Sequence, residues 1–170
     1  MNEQESRGRV TRRQALAVAA ALSPVVLLRA AEKYMGPTPP KKDVPYLLHA
    51  DNLVETEVAS ASQTSGKNDV VFSVPGETSS ARTPLAEPIF LFAADRLTPE
   101  SLGLYRFDVS GGKRQISIGR KKGKGARVFH TSVKTLAPGL FRIEAAEYLE
   151  NGEYSLSPEG ENIAFCFTVY

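Results

Sequence analysis

Cysteine occurs once in this chain, at Cys166, and histidine twice, at His49 and His130. A lone thiol permits no intramolecular disulfide, which excludes a small disulfide-stapled scaffold and is compatible with any compartment. No cysteine directly follows the one long apolar run, so the thioether-linked lipid of a bacterial lipoprotein has no attachment point. Excess charge is also scarce. The formal charge is +2 over 170 residues, and Arg7, Arg9, Arg12, Arg13 and Arg29 all precede residue 31. From residue 31 onward the chain keeps 16 of its 21 cations and 17 of its 19 anions. A near-neutral remainder gives no global attraction to nucleic acid or to a membrane surface.

The shortage extends to catalytic side chains. Cys166 sits in "AFCFTV", where a small buried hydrophobe is expected and a thiol is inert. The residues after it include no histidine, so a blue-copper grouping fails. No Gly-x-Ser-x-Gly elbow is present, and "GRKKGKG" (119–125) lacks the spacing and the Ser/Thr of a phosphate loop. One enzymatic alternative survives. His49 and Asp51 stand at i and i+2, on one face of a strand, and with His130 they would make a metal site for assisted hydrolysis. Without that site the chain is expected to be non-enzymatic and to need no cofactor.

What the chain does have begins with "TRRQALAVAAALSPVVLLRAAEK" (11–33). Residues 14–28 are apolar apart from Gln14, Ser23 and Pro24. Fifteen helical residues span about 22 Å, short of a hydrocarbon core of roughly 30 Å. A charged segment, a moderate apolar run and small residues (Ala30, Ala31) make the layout of a signal peptide. Thr11, Arg12, Arg13 and Leu16 resemble the twin-arginine export signal, in which an arginine pair precedes apolar positions. The resemblance implies export to the periplasm or beyond. Leu28 and Arg29 make a poor cleavage site before Ala30, which leaves an uncleaved inner-membrane anchor as the alternative. The expected organisation is a leader over 1–31, a Pro-rich linker over 32–45 and one domain over 46–170.

Within that domain, short runs rich in β-branched and aromatic residues alternate with turn signals. They are 46–58, 69–74, 89–95, 102–110, 114–119, 126–136, 140–146, 153–157 and 163–170, divided by stretches such as "SQTSGKN", "SGG", "APG" and "PEGEN". Several alternate apolar and polar residues, as sheets packed on one side do; "IFLF" and "IAFCF" are apolar on both faces, as central strands are. No stretch beyond the leader has a sustained helical period. "Leu149-Glu-Asn-Gly152-Glu-Tyr154" resembles the tyrosine corner of Greek-key sandwiches, in which a tyrosine hydroxyl returns to upstream backbone. The expected fold is therefore a single antiparallel Greek-key, immunoglobulin-like β-sandwich of about 7–9 strands.

Positive charge is concentrated in "KRQISIGRKKGKGAR" (113–127), with Lys113, Arg114, Arg120, Lys121, Lys122, Lys124 and Arg127 and no acidic residue. Such a loop suits an anionic polymer or lipid surface in the cell envelope. It carries no aromatic for base stacking, and nucleic acid is not an expected partner. The sequence thus points to an exported binding or accessory module. A third alternative is a strand-pairing domain whose last run, 163–170, is an open sheet edge.

Overall fold

In a computed structural model, which describes residues 33–67, 69–119 and 126–170, the regular structure of the described residues is β-strand apart from one 3-10 turn. It runs β1 (Pro45–His49), β2 (Asn52–Glu55), β3 (Glu57–Ser60), β4 (Ser62–Ser65) and β5 (Asp69–Pro75). Then come β6 (Arg82–Thr83), β7 (Ile89–Ala93), a single 3-10 turn at Pro99–Ser101, β8 (Leu102–Arg106), β9 (Asp108–Ser110) and β10 (Lys113–Gly119). The last are β11 (Val128–Phe129), β12 (Thr131–Ala137), β13 (Leu140–Ala145), β14 (Gly152–Pro158) and β15 (Ile163–Val169). The expected leader over 1–31, with Arg12 and Arg13, lies outside the described residues.

Three sheets form. The first has the order β12-β13-β7-β1-β2, the second β11-β8-β14-β15-β3, and the third β4-β5-β10-β9. Every pairing is antiparallel except β6, which runs parallel to the end of β15. The first two sheets pack face to face on a core of Leu47, Phe90, Phe92 and Ile143 from one side and Leu104, Leu156, Phe165 and Phe167 from the other. The Phe90 and Phe167 rings meet edge to face at 5.1 Å, and Tyr154 stacks on Phe167 at 5.7 Å, both favourable aromatic arrangements.

β15 shows why its sequence is apolar on both faces. Phe165, Phe167 and Val169 enter this core, whereas Ala164 and Cys166 point the other way, against Val74 and Ile116 of the third sheet. The strand pairs with β14 on one side and with β3 and β6 on the other. The expected open edge at 163–170 is therefore corrected: β15 is internal, and its backbone groups are already paired.

The strands also outnumber the expected 7–9, because several runs break where the chain changes sheet. Residues 46–58 are not one strand: Ala50, at φ 52°, turns β1 back on β2, and β3 then joins the second sheet. Residues 102–110 split at Phe107 into β8 and β9, and 126–136 split at His130 into β11 and β12. Part of "SQTSGKN", read as a turn, is β4, an exposed polar strand paired with β5. Where turn chemistry is strong the expectation holds. Gly111 and Gly112, both at positive φ, close the two-residue hairpin between β9 and β10.

The Pro-rich segment is partly built into the domain. Pro39 and Asp43 are buried. Asp43, at φ 58°, accepts the backbone N–H groups of Asp95, Arg96 and Leu97 at 2.9–3.1 Å. Burial pushes its carboxyl pKa up, but those hydrogen bonds outweigh burial and hold it below its ordinary value.

Candidate functional site

The third sheet lies over the outer face of the second, and strand parity decides what it presents. Val70, Phe72 and Val74 on β5 pair with Ile118, Ile116 and Arg114 on β10, so all six side chains share one face. The contact between the two sheets differs at its two ends.

At the Arg114 end it is closed by charge. Arg114 is 1% exposed; its Nη2 donates to Glu57 Oε1 at 2.6 Å and to the Pro75 carbonyl at 3.0 Å, and Nε donates to the Gly76 carbonyl at 3.2 Å. Glu153 lies 3.9 Å from Nη1 and accepts from Thr78, from Thr168 and from the Ser79 N–H. Burial pushes the Glu57 pKa up, yet the hydrogen bonds from Arg114 and its other donors bring it below its ordinary value. Each charge has a partner, as buried charges require. Cys166 lies near this cluster, and burial drives its thiol pKa up to about 12, which keeps it neutral and unreactive.

At the Ile118 end the sheets part around a cavity of about 520 Å³. Phe72, Val74, Ile116 and Ile118 form one wall. Gly103, Tyr105, Phe107 and Ala164 form the other. Ile118 and Val128, exposed at the mouth, extend the apolar surface to solvent. Polar groups gather at one rim, where the 3-10 turn meets the β14–β15 turn: Glu100, Glu159 and Glu161. The Glu159 N–H donates to the Ser101 carbonyl at 3.0 Å and ties the two turns together. Tyr105 is half-buried, and its phenol pKa is raised by burial and then by the negative charge of Glu159.

The residues singled out in the sequence are distributed otherwise. Of the basic set, Arg120, Lys121, Lys122 and Lys124 lie outside the described residues. Lys113 is exposed. Arg127 is ion-paired with Glu147 and lies over the Phe129 ring at 4.6 Å. Arg114 requires correction: it is an internal ion-pair residue, because its position in β10 has the parity of Ile116 and Ile118.

The proposed metal set is not assembled. His49 Nε2 is hydrogen-bonded to Thr83 Oγ1 at 2.9 Å, and the His130 backbone N–H donates to Glu147. Among the described residues no three His, Cys, Asp or Glu side chains are grouped to hold a metal ion. At the Leu149–Tyr154 motif, the Tyr154 hydroxyl donates to the Glu150 carbonyl at 2.8 Å, with Leu149 and Tyr154 fully buried and Gly152 opening β14.

The cavity itself was missed in the sequence. Its only signal was the shared parity of Phe72, Val74, Ile116 and Ile118, and that becomes a wall only once β5 and β10 are paired. Comparison of the chain with protein-family models, with curated proteins and with solved structures gave no match.

Proposed function

We propose that this chain is an exported, non-enzymatic binding module of the cell envelope, which takes a small apolar ligand between its second and third sheets. The observation that carries this reading is the cavity of about 520 Å³, walled largely by aromatic and aliphatic side chains, with three carboxylates gathered at one rim. Ligand pockets have this size and this distribution of polarity. The ligand is placed here and not on the basic loop, because Arg114 and Arg127 are already engaged by carboxylates. On the same reading the sandwich is Greek-key and immunoglobulin-like, supported by the Tyr154 hydrogen bond. The leader is a twin-arginine signal, supported by Arg12 and Arg13 in their sequence context.

The uncharged fluorophore N-phenyl-1-naphthylamine tests the cavity. Saturable fluorescence enhancement is expected with the full-length chain and is lost in Ala61→Phe and Ser157→Leu, which fill the cavity from two lining positions, one between β3 and β4 and one on β14. Unchanged enhancement in two plugged variants that still melt cooperatively refutes the site. Export is tested separately: Arg12→Lys with Arg13→Lys is expected to retain the protein in the cytoplasm, and undiminished export of that variant rejects the twin-arginine assignment.

A further inference from the structure

We infer that the cavity between the second and third sheets selects an organic cation with an apolar body, such as an alkyl or aryl ammonium compound; this rests on the cavity's being a ligand site. Charge complementarity is the first argument. Glu100, Glu159 and Glu161 are exposed at one rim, and none of them is in an ion pair among the described residues. All three are carried by the two turns that the Glu159 N–H ties together, so their charges occupy one edge of the opening.

The aromatic wall is the second argument. Phe72 and Tyr105 line the interior, and Phe107, whose ring already lies under the Arg114 guanidinium at 5.9 Å, closes its far end. A Cβ at residue 103 would stand 2.7 Å from Tyr105 Cε2 and 2.9 Å from its hydroxyl, so the phenol edge packs closely against Gly103. Carboxylates above aromatic faces recognise ammonium groups, through Coulomb attraction and the negative face of the ring. The raised phenol pKa of Tyr105, due to burial first and to Glu159 second, agrees with a negative field at this wall.

The remaining wall supplies the other half of the ligand. Val74, Ile116, Ile118 and Ala164 offer no hydrogen-bonding side chain. An alkyl chain or a ring system is accommodated there, while its ammonium group stays at the wet, acidic rim. A small hydrophilic amine would leave that surface empty.

Displacement of N-phenyl-1-naphthylamine from the full-length chain provides the test, with decyltrimethylammonium, decanol and decanoate as competitors below their micelle concentrations. Decyltrimethylammonium is expected to compete at concentrations about fivefold lower than decanol, the gain of two partly exposed charge contacts. Glu159→Gln with Glu161→Gln removes that preference, read within the variant as equal competition by decyltrimethylammonium and decanol. Both substitutions are at exposed turn positions, where the fold is not at stake. Gly103→Ala, which pushes the Tyr105 ring off the strand, weakens the cation more than decanol.

Equal competition by decanol and the cation overturns the inference and leaves the apolar site standing. Tighter competition by decanoate also overturns it. Failure of the fluorophore to bind at all removes the cavity reading and this inference together. Cation displacement that survives the Glu159→Gln, Glu161→Gln variant unaltered refutes the acidic rim as its cause.

Discussion

Arg114→Met isolates the buried charge cluster that joins the third sheet to the second. The guanidinium donates to Glu57, Pro75 and Gly76, and stands near Glu153, with 1% of the residue exposed. Methionine fills most of the volume, so little of the loss is a cavity. It leaves two carboxylates without a cation and two carbonyls without a donor, and removing one partner of a buried ion pair costs about 3–5 kcal/mol. With a urea m-value of about 2 kcal/mol/M, the unfolding midpoint falls by roughly 2 M.

The pH dependence has a definite sign. In the parent protein the Glu57 pKa lies below its ordinary value, so its contribution is present above the unfolded carboxylate range and lost as pH falls through the folded pKa. Without Arg114 the largest influence left on Glu57 is burial, which raises the pKa, and protonation then relieves the variant. The stability deficit is therefore larger at neutral pH than in mild acid. Replacing the closest pair together (Arg114→Met, Glu57→Leu) is expected to recover part of the loss, as apolar replacements of buried ion pairs do. A midpoint shift for Arg114→Met below about 0.5 M, the scale of an exposed pair, refutes the internal assignment. So does a deficit that grows on acidification.

Three further outcomes follow from hydrogen bonds and burial. Asp43→Ala, which loses the carboxylate that holds three backbone N–H groups and keeps a positive φ, should cost at least about 2 kcal/mol in urea unfolding, and Asp43→Asn should cost less. Because the Asp43 pKa is lowered in the fold, its contribution disappears as pH falls through that value; equal losses for Ala and Asn refute the account. Tyr154→Phe removes only the hydroxyl bonded to the Glu150 carbonyl, and a loss of about 1 kcal/mol in thermal or urea unfolding is expected. No loss would show that this bond does not hold the β13–β14 connection. Cys166, with its thiol pKa pushed to about 12, should resist a thiol-specific disulfide reagent in the native state at pH 8 and react on unfolding. Rapid labelling of the folded protein contradicts its burial.

Much of the site was within reach of the sequence at the level of strand parity. In "RQISIG" the two isoleucines mark the dry face, and Arg114 is two residues before Ile116, which places it on that face. A cation there needs buried carboxylates, and Glu57 and Glu153 supply them from strands 57 and 39 residues away. No local pattern announces such a pairing. His49 and His130 likewise look similar along the chain, yet one is bonded to Thr83 and the other flanks the change from the second sheet to the first.

By itself, the sequence determined the all-β class and the main turns. Apolar alternation, Gly-Gly and Pro-Gly pairs and the absence of helical period act over a few residues and need no distant partner. It also marked Tyr154 and the doubly apolar β15. Only the tertiary structure decided that a third sheet covers the second, that β15 is internal rather than an edge, and that Arg114 is buried. These depend on which strands pair and which faces meet, contacts between residues far apart in the chain. The cavity belongs to that second group: it exists because two sheets joined by an ion cluster at one end diverge at the other.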